Sequence, residues 1–250
     1  MCGEELSENG NVAGTMKRLT TREAELLAQK FRMEAGMGMT EPVNVKSLLR
    51  RFRVLTMYRP LSENSYGISI KTDGAMFMLV NSNSTRGRQH FTIAHELYHL
   101  FYDENPQPHI CGGLATGVEK DANLFASALL MPREGVLEVL PEDEIKGHRV
   151  SMASVLRMEQ LFGVSRMSLL VRLKDMGIIG EVQLQELNAV GIKESARAYG
   201  YDTSLYESGN EGLVIGDFGE KAKKLFDEGR ISEGHYVELL NMLGNGRGED

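Results

Sequence analysis

The sequence predicts an α+β fold: N-terminal helices and a small antiparallel sheet pack on the helix carrying His95-Glu96-Leu97-Tyr98-His99, and a helix-turn-helix-like segment follows. Three observations carry that prediction. Apolar residues recur at helical spacing near 20–33, 86–103 and 117–131. Between 54 and 80 the period changes to short apolar runs. Over 151–177 two helical patterns meet at Gly163-Val164-Ser165.

Taken in order, residues 1–15 are polar and glycine-bearing and read as a tail. Thr20 or Thr21 caps a helix through Glu23 to about Met33, which Gly36 and Gly38 break. A short helix over Val45 to Arg51 is entered from Pro42. Strands are expected at Val54–Tyr58, Tyr66–Ile70 and Ala75–Val80, with Asp73-Gly74 marking a hairpin between the last two. Asn81 to Thr85 closes the sheet and caps the helix of about 86–103. The pattern over 117–131 stops at Pro132. Seven glycines from Gly180 to Gly219 suggest a looser region, and a final helical pair is expected near 219–228 and 232–243.

Composition narrows the class. An apolar fraction of 42% and a charged fraction of 25% fit a globular chain. A net charge of −7 argues against a nonspecific nucleic-acid binder. No apolar run approaches the roughly 20 residues that span a bilayer, so no membrane partner is expected. The start Met1-Cys2-Gly3-Glu4-Glu5 lacks a leader pattern, and Cys2 and Cys111 cannot form a disulfide framework. A cytoplasmic location is therefore expected.

His95-Glu96-Leu97-Tyr98-His99 has the spacing H-E-x-x-H. On a helix, residues four apart share a face, so both imidazoles can grip one metal ion while Glu96 reaches a water beside it as general base. Phe91, Ile93, Ala94, Leu97, Leu100 and Phe101 surround the motif, which predicts a buried helix whose polar groups need a partner. Zinc suits these ligands, and manganese or another divalent ion can take the same donors. A third histidine at the spacing H-E-x-x-H-x-x-G-x-x-H is ruled out by Tyr102 and Asn105. Glu119, bordering the buried face of the next helix, can complete the set, with Glu104, His109 and Cys111 as rivals; Asp121 points elsewhere. Asn123, one turn beyond Glu119, is placed to bond a ligating histidine. Tyr98, Tyr102 and His148 are candidates to steady an oxyanion.

Arg88 to Leu100, followed by Glu119-x-x-Ala122-Asn123-x-Phe125-Ala126-x-x-Leu129-Leu130-Met131-Pro132, resembles the ImmA/IrrE metallopeptidases. Val164-Ser165, Leu169-x-x-Arg172-Leu173 and Gly177-Ile178-Ile179 resemble the segment that follows the peptidase core there. The resemblance spans roughly 20–180. It implies a gluzincin-like site with His95, His99 and Glu119 on zinc and Glu96 as base. It also implies a substrate: a helix-turn-helix repressor of the Cro/C1 type, whose cleavage switches on mobile-element or stress-response genes. Tyr98 stands where that family often has a small residue such as glycine, which narrows the cleft and leaves the ligands intact.

The expected organisation is a tail at 1–15, a zinc metallopeptidase core at 16–133, a helix-turn-helix-like segment at 134–180 and a mostly helical extension at 181–250. Arg149, Arg157, Arg166, Arg172 and Lys174 against Glu159 would permit DNA contact by the third part. Two further readings are a regulator that binds a repressor or DNA without proteolysis, and an interaction module with structural zinc. Retention of Glu96 argues against the latter, because a closed structural site needs no base.

Overall fold

In its computed structural model, which describes residues 18–103, 109–111 and 117–244, the chain opens on a capped helix. Thr20 precedes α1 (Thr21–Glu34); its hydroxyl accepts from the Glu23 amide at 3.2 Å, and Glu23 reaches back to the Thr20 amide at 2.8 Å. Arg32 on α1 is buried, and its guanidinium donates to the Leu129 carbonyl at 2.6 Å. Asn44 caps α2 (Val45–Arg51) by accepting from the Ser47 amide at 3.0 Å.

Strands β1 (Val54–Arg59), β2 (Gly67–Lys71), β3 (Met76–Asn81), β4 (His109–Cys111) and β5 (Val214–Ile215) form one sheet in the order β4-β2-β3-β1-β5. The Asp73-Gly74 hairpin forms as expected, with β2 and β3 antiparallel and the Thr72 amide on the Ala75 carbonyl at 2.9 Å. The sheet is mixed rather than wholly antiparallel, because β1 joins β3 in parallel, from Val54 opposite Met76 to Arg59 opposite Asn81. The physical reason is the connection: β1 is not the hairpin neighbour of β3, and a strand arriving from outside the hairpin can pair in either sense.

Helix α3 (Arg86–Tyr102) lies on the sheet and packs against α4 (Gly117–Leu130), which also contacts α1. Pro132 ends α4, and Pro132 and Pro141 precede two short helices, α5 (Arg133–Val139) and α6 (Glu142–Lys146), that periodicity alone did not mark. Ser151 caps α7 (Met152–Phe162) and Ser165 caps α8 (Arg166–Asp175), so the expected helix pair is present. Between them Gly163 adopts φ 63°, a left-handed conformation that favours glycine. Its carbonyl accepts from the His90 ring of α3 at 2.8 Å. Burial lowers the His90 ring below its ordinary pKa, more than the Gly163 bond raises it, and the neutral ring donates through Nδ1. A Cβ on Gly87 would stand 2.9 Å from the Ser165 amide nitrogen. The first turn of α3 is thus seated directly on the α7–α8 turn.

The region after Gly180 is more ordered than its glycines suggested. Gly180 and Gly191 stand at the entries of α9 (Glu181–Asn188) and α10 (Ile192–Ala198), where glycine starts a helix rather than loosening the chain. A 3-10 turn at Ser204–Tyr206 follows. The final pair is α11 (Phe218–Asp227) and α12 (Glu233–Gly244), packed on each other through stacked Phe226 and Tyr236 rings 4.9 Å apart. Among the described residues the larger hydrophobic core runs from Ala28 through Ile93, Phe125 and Leu169 to Ile215, and a smaller one joins Leu156, Ala196, Leu205 and Tyr206. No helix among the described residues is long and apolar enough to cross a membrane. The expected tail at 1–15 lies outside the described residues.

Candidate metal centre

Every residue from Thr92 to Leu100 of α3 is buried, so the polar ones among them must be satisfied within the protein. His95 and His99, one turn apart, bring their Nε2 atoms to 3.2 Å from each other. From α4, Glu119 places Oε2 at 3.3 Å from His95 Nε2 and Oε1 at 3.3 Å from His99 Nε2. The opposite ring nitrogens are held in place: His95 Nδ1 lies 2.9 Å from Asn123 Oδ1, and His99 Nδ1 lies 3.1 Å from Asp103 Oδ2. Each imidazole can then donate through Nδ1 and present Nε2 to a shared point.

The geometry fits a metal. Ligand atoms about 2.0–2.1 Å from one tetrahedral ion stand roughly 3.3 Å apart. The separation of the two Nε2 atoms matches that edge length, a different Glu119 oxygen stands at a like distance from each ring, and His95, His99 and Glu119 form a group that could hold a metal ion. Burial depresses the His99 pKa, but bonds to Glu119 and Asp103 and the nearby Glu96 charge outweigh it, leaving the ring above its ordinary value. An entering metal must displace that proton, so binding is expected to weaken as pH falls.

Glu96 is wholly buried and accepts a 2.6 Å hydrogen bond from the Ser69 hydroxyl of β2. Gly67, two residues earlier, makes the approach of that strand possible. A Cβ there would meet Thr92 Cγ2 at 2.6 Å and Glu96 Oε1 at 3.1 Å. Strand β2 therefore closes over the acid.

The remaining predicted residues are distributed differently. Asn123 stands where sequence spacing put it, against His95. Asp121 is turned away from the group, accepting from the Leu19 amide at 3.1 Å. Tyr98 touches the edge of the His99 ring, but both Tyr98 and Tyr102 lean on Phe125, and Tyr102 also on Phe31. Burial pushes both phenols up to about 12, with Asp121 and Asp103 adding to the shift at Tyr98 and Glu34 at Tyr102. Exposed His148 is held elsewhere, its ring donating to the Gly177 carbonyl at 3.0 Å. Glu104 and the side chains of His109 and Cys111 lie outside the described residues. Sequence reasoning missed Asp103, Ser69 and Gly67. Asp103 had a usable signal, standing four residues after His99. Ser69 had none, since it arrives 27 positions before Glu96 through strand pairing.

The family model of the IrrE N-terminal-like domain, peptidase M78, matches residues 49–174. The chain belongs to this peptidase family. The matched span holds the whole ligand group, Glu96, Ser69 and Asn123, together with α7 and nearly all of α8. Membership supports a metallopeptidase-type function, and it places the helix pair inside the domain the family shares. No curated protein matches the chain closely enough to count as a relative.

Proposed function

We propose that this protein is a zinc-dependent peptidase that cuts one cytoplasmic protein at a specific site, a Cro/C1-type helix-turn-helix repressor, and so derepresses mobile-element or stress-response genes. The observation that carries the reading is a fully buried Glu96, clamped by Ser69, one residue along α3 from a histidine of the ligand group. His95, His99 and Glu119 would hold the ion, which supplies a Lewis acid that polarises the scissile carbonyl and acidifies water. Glu96 takes the proton of the attacking water and delivers it to the leaving amine. Ser69 holds one Glu96 oxygen, which orients the other toward its task. Asn123 and Asp103 keep the two imidazoles in the tautomer that faces the ion.

The state of the basic residues on the helix pair favours a protein substrate over DNA. Arg166 is buried against Glu159 at 2.7 Å, and Arg172 is buried against Glu25 at 3.0 Å. Lys174 pairs with Glu181, Arg149 with Glu186, and Arg157 reaches the Val139 carbonyl. The two buried guanidiniums are thereby withdrawn from contact with phosphates. A cytoplasmic setting is supported by the two-cysteine composition.

The test mixes purified protein with Cro/C1-type repressors of its own genome, with zinc, with chelator, and with Glu96→Gln. A single metal-dependent cut that is absent in Glu96→Gln is the expected result. Intact repressors under every condition, with zinc demonstrably bound, would reject proteolysis of this class.

A further inference from the structure

Helices α11 and α12 carry apolar side chains that the rest of the chain does not bury. On α11, Phe218, Ala222, Leu225 and Phe226 follow helical spacing and share one face. On α12, Tyr236, Leu239 and Leu240 do the same. Val237 stands about 100° round the helix from Tyr236 and is 47% exposed, so the apolar surface of α12 runs past the side that meets α11. Among the described residues, neither hydrophobic core takes in any side chain of these two helices. Ala222 is the only residue of the pair that is buried there.

The polar contacts tell the same story. Lys221 pairs with Asp217, Lys223 with Asp227, and Lys224 and Arg230 with Glu228. The Ser232 hydroxyl accepts from the His235 amide at 3.2 Å. Among the described residues, the hydrogen bonds and ion pairs of 217–240 all stay within that stretch. The pair is therefore a satellite, joined to the sheet through β5. A unit of fewer than about 40 residues rarely holds on its own core without a disulfide, a metal or another subunit. This stretch has no cysteine and a single histidine, which leaves the subunit.

The charges say which subunit. Helix α11 carries Lys221, Lys223 and Lys224, whereas α12 carries Glu233 and Glu238 and no lysine or arginine. A two-fold axis sets the same patch against itself, so α11 of one copy can lie beside α12 of the other, lysines along glutamates. The exposed pairs that the lysines make within one copy are weak enough to be exchanged.

We infer that α11 and α12 are a homodimerisation module, in which the pair from one copy meets the same pair of a second copy and closes a four-helix bundle. Helices of 10 and 12 residues side by side present a face about 15–18 Å long and roughly 20 Å wide. That is the small end of specific interfaces, so the dimer is reversible, with Kd in the micromolar range. The module leaves the sheet from β5, three strands away from β2 and its Ser69. Assembly is thus separable from the metal centre, and the inference is independent of the peptidase reading.

The experiment is sedimentation equilibrium of the full-length protein over about 1–200 μM. The mass is expected to rise from one copy to two across that range. Val237→Asp and Leu240→Asp should each weaken the dimer at least tenfold. Circular dichroism and zinc affinity, both unchanged, show that the monomer is intact. Reversing charge on one helix, with Lys221→Glu and Lys224→Glu, should weaken the dimer too. Adding Glu233→Lys and Glu238→Lys to the same chain should restore it, which a merely structural role would not do. A single copy at every concentration would overturn the inference in favour of a different partner for this face. A dimer indifferent to Val237→Asp and Leu240→Asp would place the interface elsewhere, and a mass beyond two copies would rule out the closed bundle.

Discussion

Helices α7 and α8 bury Glu159 against Arg166, whereas α3 and α4 bury two imidazoles against two carboxylates, and the contrast separates a structural cluster from a functional one. In the first, the charges answer each other. Arg166 Nε meets Glu159 Oε1 at 2.7 Å, the Tyr206 hydroxyl donates to Oε2 at 2.6 Å, and the Ser195 hydroxyl takes another guanidinium proton at 3.0 Å. Such a network is complete without a ligand, and it ties α10 and the 3-10 turn to the helix pair. In the second, two imidazole nitrogens 3.2 Å apart each face one Glu119 oxygen at 3.3 Å, and the far sides of both rings are braced by Asn123 and Asp103. Convergent lone pairs braced from behind are what a cation requires.

Each half of that comparison can be broken. The largest expected effect is on chemistry: Glu96→Gln should lower cleavage by about 10²–10⁴, with zinc content and unfolding temperature unchanged. Next comes stability. Arg166→Ala strands Glu159 in the core and should cost about 3–5 kcal/mol in urea unfolding, without altering the affinity of any zinc retained by the folded fraction. Zinc should then act only on the other cluster. At about a thousandfold excess over Kd it should stabilise the protein by about 4 kcal/mol, seen as a rise in unfolding temperature that chelator or His99→Ala removes. Asn123→Ala sharpens the role of bracing, with zinc affinity expected to fall about 10–100-fold in a competition titration. The smallest change is Ser69→Ala, which removes a bond to a carboxylate worth about 1.5 kcal/mol. It should lower kcat roughly tenfold with KM unmoved; a shift in KM alone would show that Ser69 contacts substrate instead.

The reach of sequence reasoning follows from how far each interaction travels along the chain. The second helix was placed residue for residue, Val45 to Arg51, because its apolar spacing is local, although the cap that starts it proved to be Asn44. For the same reason α3 and α4 end within one residue of the expected 86–103 and 117–131. Glycine misled where it was counted rather than placed: Gly180 and Gly191 begin helices that a count of glycines had dissolved.

By itself, then, the chain determined which residues share a turn: His95, Glu96 and His99 on one helix, Glu119 and Asn123 on the next. Hydrogen bonds spanning four residues and caps spanning three need no knowledge of the rest. Only the tertiary structure decided that β1 lies parallel to β3 and that Ser69 closes on Glu96. Those contacts cross tens of residues, and their partners are selected by the packing of whole elements rather than by any spacing the sequence displays.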